Sequence, residues 1–115
     1  MTKKEVIEIF ATDFNDPGSV KSGEYLESHV LAHAKQIANV DRQALIEVLS
    51  DWLAARVEPH TMLAVKIAGE LRLWELYKDL TKLREDVLAG RVFLRFYVRR
   101  IDKALDGISK GGDSW

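Results

Sequence analysis

Cysteine is absent from the 115 residues. Disulfide staples, thiolate catalysis and cysteine-ligated zinc are therefore excluded. Proline occurs twice and glycine seven times, so chain breaks are few and each is informative. No segment alternates apolar and polar residues for long enough to predict a strand. No apolar run approaches the ~20 residues a bilayer-spanning helix requires. The opening MTKKEVIEIF lacks the apolar stretch of a secretory signal, which makes a cytoplasmic protein the expectation. An excess of one charge is missing too. Lysine and arginine total 17 against 18 acids, a formal net charge of -1. No global field then draws the chain to nucleic acid or to an anionic membrane, and neither partner is expected.

What is present is helical periodicity in ordinary globular proportions, 47% hydrophobic and 30% charged. At this length the expectation is one all-α domain of about six helices. Thr2-Lys3-Lys4-Glu5 matches a capping box and opens a helix to about Thr12, with Val6, Ile7 and Phe10 as its apolar stripe. Asp13 to Gly23 reads as a loop around the Asp16-Pro17-Gly18 turn. A second helix runs from Gly23 or Glu24 to Ala38, with Leu26, Val30, Ala34 and Ile37 on one face. Asp41 is placed to N-cap a third helix to about Arg56, in which Trp52 falls on the core stripe with Leu45, Val48 and Leu49.

Pro59 suits the first turn of a fourth helix, whose surface is apolar except at Lys66 and Glu70. A helix that apolar has neighbours on several sides. Gly69 lies within it at an intrinsic cost of about 1 kcal/mol relative to alanine, a mark of a close helix–helix approach. The fifth helix, Leu73 to Leu88, places Leu73, Leu76, Tyr77, Leu80, Leu83 and Val87 inward. Its other face carries Glu75, Lys78, Asp79, Lys82, Glu85 and Asp86. A sixth helix from Arg91 or Val92 to about Asp106 places Leu94, Tyr97, Val98, Ile101 and Leu105 inward. Residues 107–115 read as a flexible tail.

The string Ala64-Val65-Lys66-Ile67-Ala68-Gly69-Glu70-Leu71-Arg72-Leu73, followed by Glu75-Leu76, Leu80 and Leu83, resembles a HEAT-type helical repeat. The resemblance covers residues 62–88, about a quarter of the chain. It implies a short α-solenoid in which 41–106 stack as antiparallel helical hairpins and 1–40 cap them. It also implies a scaffold whose second helices line a binding surface.

Candidate chemistry is sparse. His29 and His33 share a helix face, a spacing that can bind metal. The only other histidine, His60, is distant in sequence and follows no ligand pattern, so no metal site is expected. Acid pairs such as Glu75/Asp79 and Glu47/Asp51 sit on faces predicted to be solvated, and no phosphate loop or nucleophile elbow occurs. No cofactor and no enzymatic activity are expected.

Two surfaces could instead serve a protein partner. One is the outer face of the fifth helix, Glu75, Lys78, Asp79 and Lys82, with Trp74 at the hairpin junction as an aromatic anchor. The other is a basic ridge of Arg91, Arg95, Arg99 and Lys103 at four-residue steps, with Phe96 beside it. Asp102 and Asp106 share that face and can pair with it at three-residue spacing.

The functional expectation is a small non-enzymatic immunity protein that occludes a cognate bacterial toxin. The alternative is a regulatory or adaptor module binding host proteins or nucleic acid. A near-neutral pI argues against a strongly basic nuclease as the toxin.

Overall fold

The computed structural model describes residues 1–112, and every regular element among them is helical. Five α-helices of eleven residues or more, rather than about six, are α1 (Lys3–Phe14), α3 (Gly23–Ala55), α4 (His60–Glu70), α5 (Tyr77–Leu88) and α6 (Val98–Gly112). A one-turn helix α2 (Pro17–Lys21) and 3-10 turns at Trp74–Leu76 and Arg95–Tyr97 complete the set. The chain divides into two compact units, Met1–Val48 and Leu49–Trp115, whereas the sequence pattern places the division at residue 40.

In the first unit, the Thr2 side chain accepts from Glu5 N–H while Glu5 reaches back to Thr2 N–H, so the predicted capping box forms. Val6 and Phe10 are fully buried, but Ile7 is exposed. The predicted loop contains α2, because Asp16 caps Gly18 N–H and Pro17 occupies the first helical position. Both choices favour helix over an open turn. Val30, Ala34 and Ile37 bury the inner face of α3.

The two helices expected on either side of Asp41 form one run, α3, interrupted at that residue alone (φ -155, ψ 87). Asp41 Oδ1 accepts from Ala44 N–H at 3.1 Å. Asp41 therefore acts as the expected N-cap, and its helix follows the previous one with no linker. The division between the units falls inside that second arm.

In the second unit α6 packs on both α4 and α5. Helix α4 is as apolar as its sequence implies: Thr61 to Val65, Ile67 and Ala68 are buried. Its two polar interruptions pair with each other, Lys66 to Glu70 at 2.9 Å. A Cβ on Gly69 would lie 2.8 Å from Ala104 Cα, and one on Gly107 would lie 3.0 Å from the Gly69 carbonyl oxygen. Gly69 thus admits the backbone of α6.

Thr61, fully buried, closes the α3–α4 connection. Its hydroxyl donates to the Trp52 carbonyl at 2.7 Å and accepts from Val57 N–H at 2.9 Å.

Several expectations fail at helix ends. Helix α5 starts at Tyr77 rather than Leu73, because Arg72 takes a positive φ of 52 and closes α4. There Leu73 N–H bonds to Ala68 O and Arg72 N–H to Gly69 O, a Schellman closure with arginine instead of glycine at the left-handed position. Leu73 and Leu76 are still buried. Tyr77, expected inward, is 47% exposed. Trp52 is half-buried with its ring edge-on to His60, so it borders the core instead of centring it.

The sixth helix departs furthest. Gly90 (φ 75) ends α5 in a second Schellman closure, Phe93 also has positive φ (53), and Leu94 is extended. These backbone states cannot carry the i to i−4 ladder, so α6 begins only at Val98. It then continues past the predicted end at Asp106, burying Ala104 and Ile108.

Candidate partner-binding site

The predicted basic ridge requires Arg91, Arg95, Arg99 and Lys103 on one helix, and the structure breaks it. Arg91 precedes the helical turns and donates to Asp86 at 3.1 Å. Arg95 and Phe96 lie on the 3-10 turn, which leads directly into the first turn of α6 holding Arg99. Arg95, Phe96 and Arg99 therefore stay together, and Arg91 is removed.

Of the two acids that share the face, Asp102 pairs outside the helix. Asp102 accepts from Arg84 Nε of α5 at 2.6 Å, so it is drawn toward α5 rather than toward Arg99. Among the described residues no ion pair holds Arg95, Arg99 or Arg100.

Aromatic packing organises this segment. The rings of Phe96 and Tyr97 stack at 4.5 Å, Phe93 meets Tyr97 edge-on at 5.7 Å, and the Arg100 guanidinium lies 5.7 Å from the Tyr97 centroid. The Tyr97 ring is thus the centre of the cluster. Interaction with the Glu58 carboxylate, ahead of burial, raises the Tyr97 pKa. Phe96, 61% exposed, and Leu94, 64% exposed and expected inward, lie at the solvent side of the cluster.

The fifth-helix surface survives in part. Trp74 is 52% exposed on the 3-10 turn before α5, which fits an anchor at the hairpin junction. Glu75 is half-exposed, and Lys78 and Lys82 are exposed. Asp79, expected on the free face, accepts from Ser50 Oγ at 3.1 Å. Asp86, further along, bonds to Arg56 at 3.0 Å and to Arg91. Those hydrogen bonds, Arg56 first, hold the Asp86 carboxyl below the ordinary carboxylate range. Two carboxylates of the supposed outer face are thus engaged by neighbouring elements.

In the first unit, His33 Nδ1 lies 2.7 Å from the buried Asp13 carboxylate, and His29 Nδ1 lies 2.8 Å from the Tyr25 carbonyl. These contacts engage one ring nitrogen of each histidine. No group of three metal-ligating side chains occurs among the described residues.

Helical-wheel reasoning, which takes the helix as continuous from residue 91, misses Arg100 and the exposure of Leu94. A plain count finds the segment: RVFLRFYVRR holds four arginines and no acid. Trp115 lies outside the described residues. No described helix is long and apolar enough to cross a membrane. No family model, curated protein or solved structure matches the chain.

Proposed function

We propose that this chain is a non-enzymatic protein-binding domain of the immunity type, a cytoplasmic protein that neutralises a cognate toxin by covering it. The exposed aromatic and arginine cluster of residues 94–100 carries this reading. Large apolar side chains held in solvent beside unpaired guanidiniums have little value to the isolated fold, and tryptophan, other aromatics and arginine dominate binding energy at interfaces. Trp74, with Lys78 and Lys82, supplies a second contact region on the same unit. The HEAT-like hairpin of residues 62–88 is the proposed scaffold, and the close Gly69–Ala104 approach supports its rigidity.

Affinity capture from the source cell, using the full chain as bait, tests the proposal. One tight protein partner encoded by the adjacent gene, whose toxicity the chain suppresses on co-expression, is the expected result. Several housekeeping partners, or binding to nucleic acid that falls steeply with salt, would favour the regulatory or adaptor alternative and overturn the immunity reading.

A further inference from the structure

The immunity reading leaves the chemistry of the partner open, and the segment Leu94 to Arg100 narrows it. We propose that Arg95, Arg99 and Arg100, with Leu94 and Phe96, form a docking surface for an acidic segment of a partner protein in which carboxylates flank an apolar side chain. The inference rests on the protein-binding reading.

Charge complementarity supplies the first argument. Asp86 is taken by Arg56 and Arg91, and Asp102 by Arg84. Those two acids thus have partners, whereas Arg95, Arg99 and Arg100 are exposed and without an ion pair among the described residues. A guanidinium presents a planar fork that matches a carboxylate bidentately and loses less hydration than an ammonium. Three such forks fall within six residues of continuous 3-10 and α-helical turns, Arg95 and Arg99 four residues apart.

The second argument comes from the apolar side chains. Leu94 and Phe96 are the two most exposed large hydrophobic side chains among the described residues of this unit. Both lie in the same seven residues as the free arginines. An occupant must therefore supply apolar surface as well as negative charge.

Single-stranded nucleic acid would fit the charge but not the rings. Base stacking needs free aromatic faces. Tyr97 is covered by Phe96 and the Arg100 guanidinium and met edge-on by Phe93, so Phe96 alone of the three rings is exposed, and a strand would find one face where successive bases need several. The net charge of -1 also denies a backbone an extended basic path. An acidic protein segment needs neither.

The test pans a display library of random peptides, about 16 residues each, on the full chain, in parallel with titration by an oligothymidylate of about 12 nucleotides. Expected are enriched peptides in which two or more Asp or Glu flank an apolar residue. Their binding should move the backbone amide resonances of residues 94–100. The triple change Arg95→Ala, Arg99→Ala and Arg100→Ala should weaken them by about tenfold or more. Arg99→Lys, which keeps charge and loses the fork, should weaken them by about threefold. An unchanged amide spectrum outside the segment shows that each variant is folded.

The proposal is overturned by peptides without acidic bias, by no enrichment, or by shifts confined to other residues. Oligothymidylate binding at 94–100 with a steep salt dependence would assign the surface to nucleic acid instead. Concentration-dependent self-association abolished by the triple change would assign it to a second copy of the chain. If a captured cellular partner holds the triple variant as tightly as wild type, this inference fails while the protein-binding reading stands. If wild type captures no protein partner, that reading itself fails.

Discussion

Gly69→Ala sets two effects of opposite sign against each other, and the structure says which wins. Alanine is favoured over glycine in a helix interior by about 1 kcal/mol. Gly69 is the penultimate residue of α4, so the gain here is smaller. Against it, the new methyl would lie 2.8 Å from Ala104 Cα and 3.0 Å from Ala104 Cβ. Ordinary carbon–carbon separation is about 3.5–4.0 Å, so α6 would have to retreat by roughly 0.7 Å or more. The nearest atom is backbone and cannot rotate aside. Overpacking of this kind costs about 1–3 kcal/mol, leaving a net loss of about 1–2 kcal/mol. Thermal unfolding should then fall by about 5–15 °C. Urea unfolding should show a lower midpoint at unchanged slope.

Ala104→Gly in the same background should relieve only part of this, because the backbone of α6 still stands against the new methyl. Gly107→Ala, facing the Gly69 carbonyl oxygen at 3.0 Å, should cost less than Gly69→Ala. A Gly69→Ala variant as stable as wild type, or more stable, would refute the close approach of α4 and α6.

Thr61→Val removes the hydroxyl that joins Trp52 and Val57 across the α3–α4 connection, and it should lower unfolding free energy by about 1–3 kcal/mol; Thr61→Ser should restore most of it in the same denaturant titration. Arg72→Gly replaces an L-residue held at φ 52 and should raise stability by about 0.5–1 kcal/mol, read as a higher melting temperature. His60 has its pKa lowered by burial; between that depressed value and about 6.5 the unfolded state binds more protons, so stability should rise with pH and level off above it. His60→Gln should remove that slope from unfolding midpoints measured at a series of pH values. Asp86 is held below the carboxylate range by Arg56 and then Arg91; its contribution is complete above the ordinary carboxylate pKa and is lost as pH falls through its folded value, so Asp86→Asn should flatten the acid limb of the same series.

The sequence alone determined the helices, the core stripes and the stops set by local chemistry. The Thr2–Glu5 capping box, Asp41 as an N-cap, the end of α5 at Leu88 and the apolar wrap of α4 all depend on spacings of a few residues. Caps, glycine and helical period act at that range. Gly69 was legible as a close approach because a glycine inside a helix is intrinsically costly, although its partner α6 was not.

Tertiary structure decided which charges remain free and where the last helix begins. Arg72 and Phe93 adopt positive φ, which their residue types disfavour and only the surrounding packing can impose. The break at Phe93 removed Arg91 from the ridge, and the Arg84–Asp102 pair spans eighteen positions of sequence. Long-range interactions of this kind leave no periodic trace. They gathered Arg95, Arg99 and Arg100, free of ion pairs among the described residues, beside the Tyr97 ring.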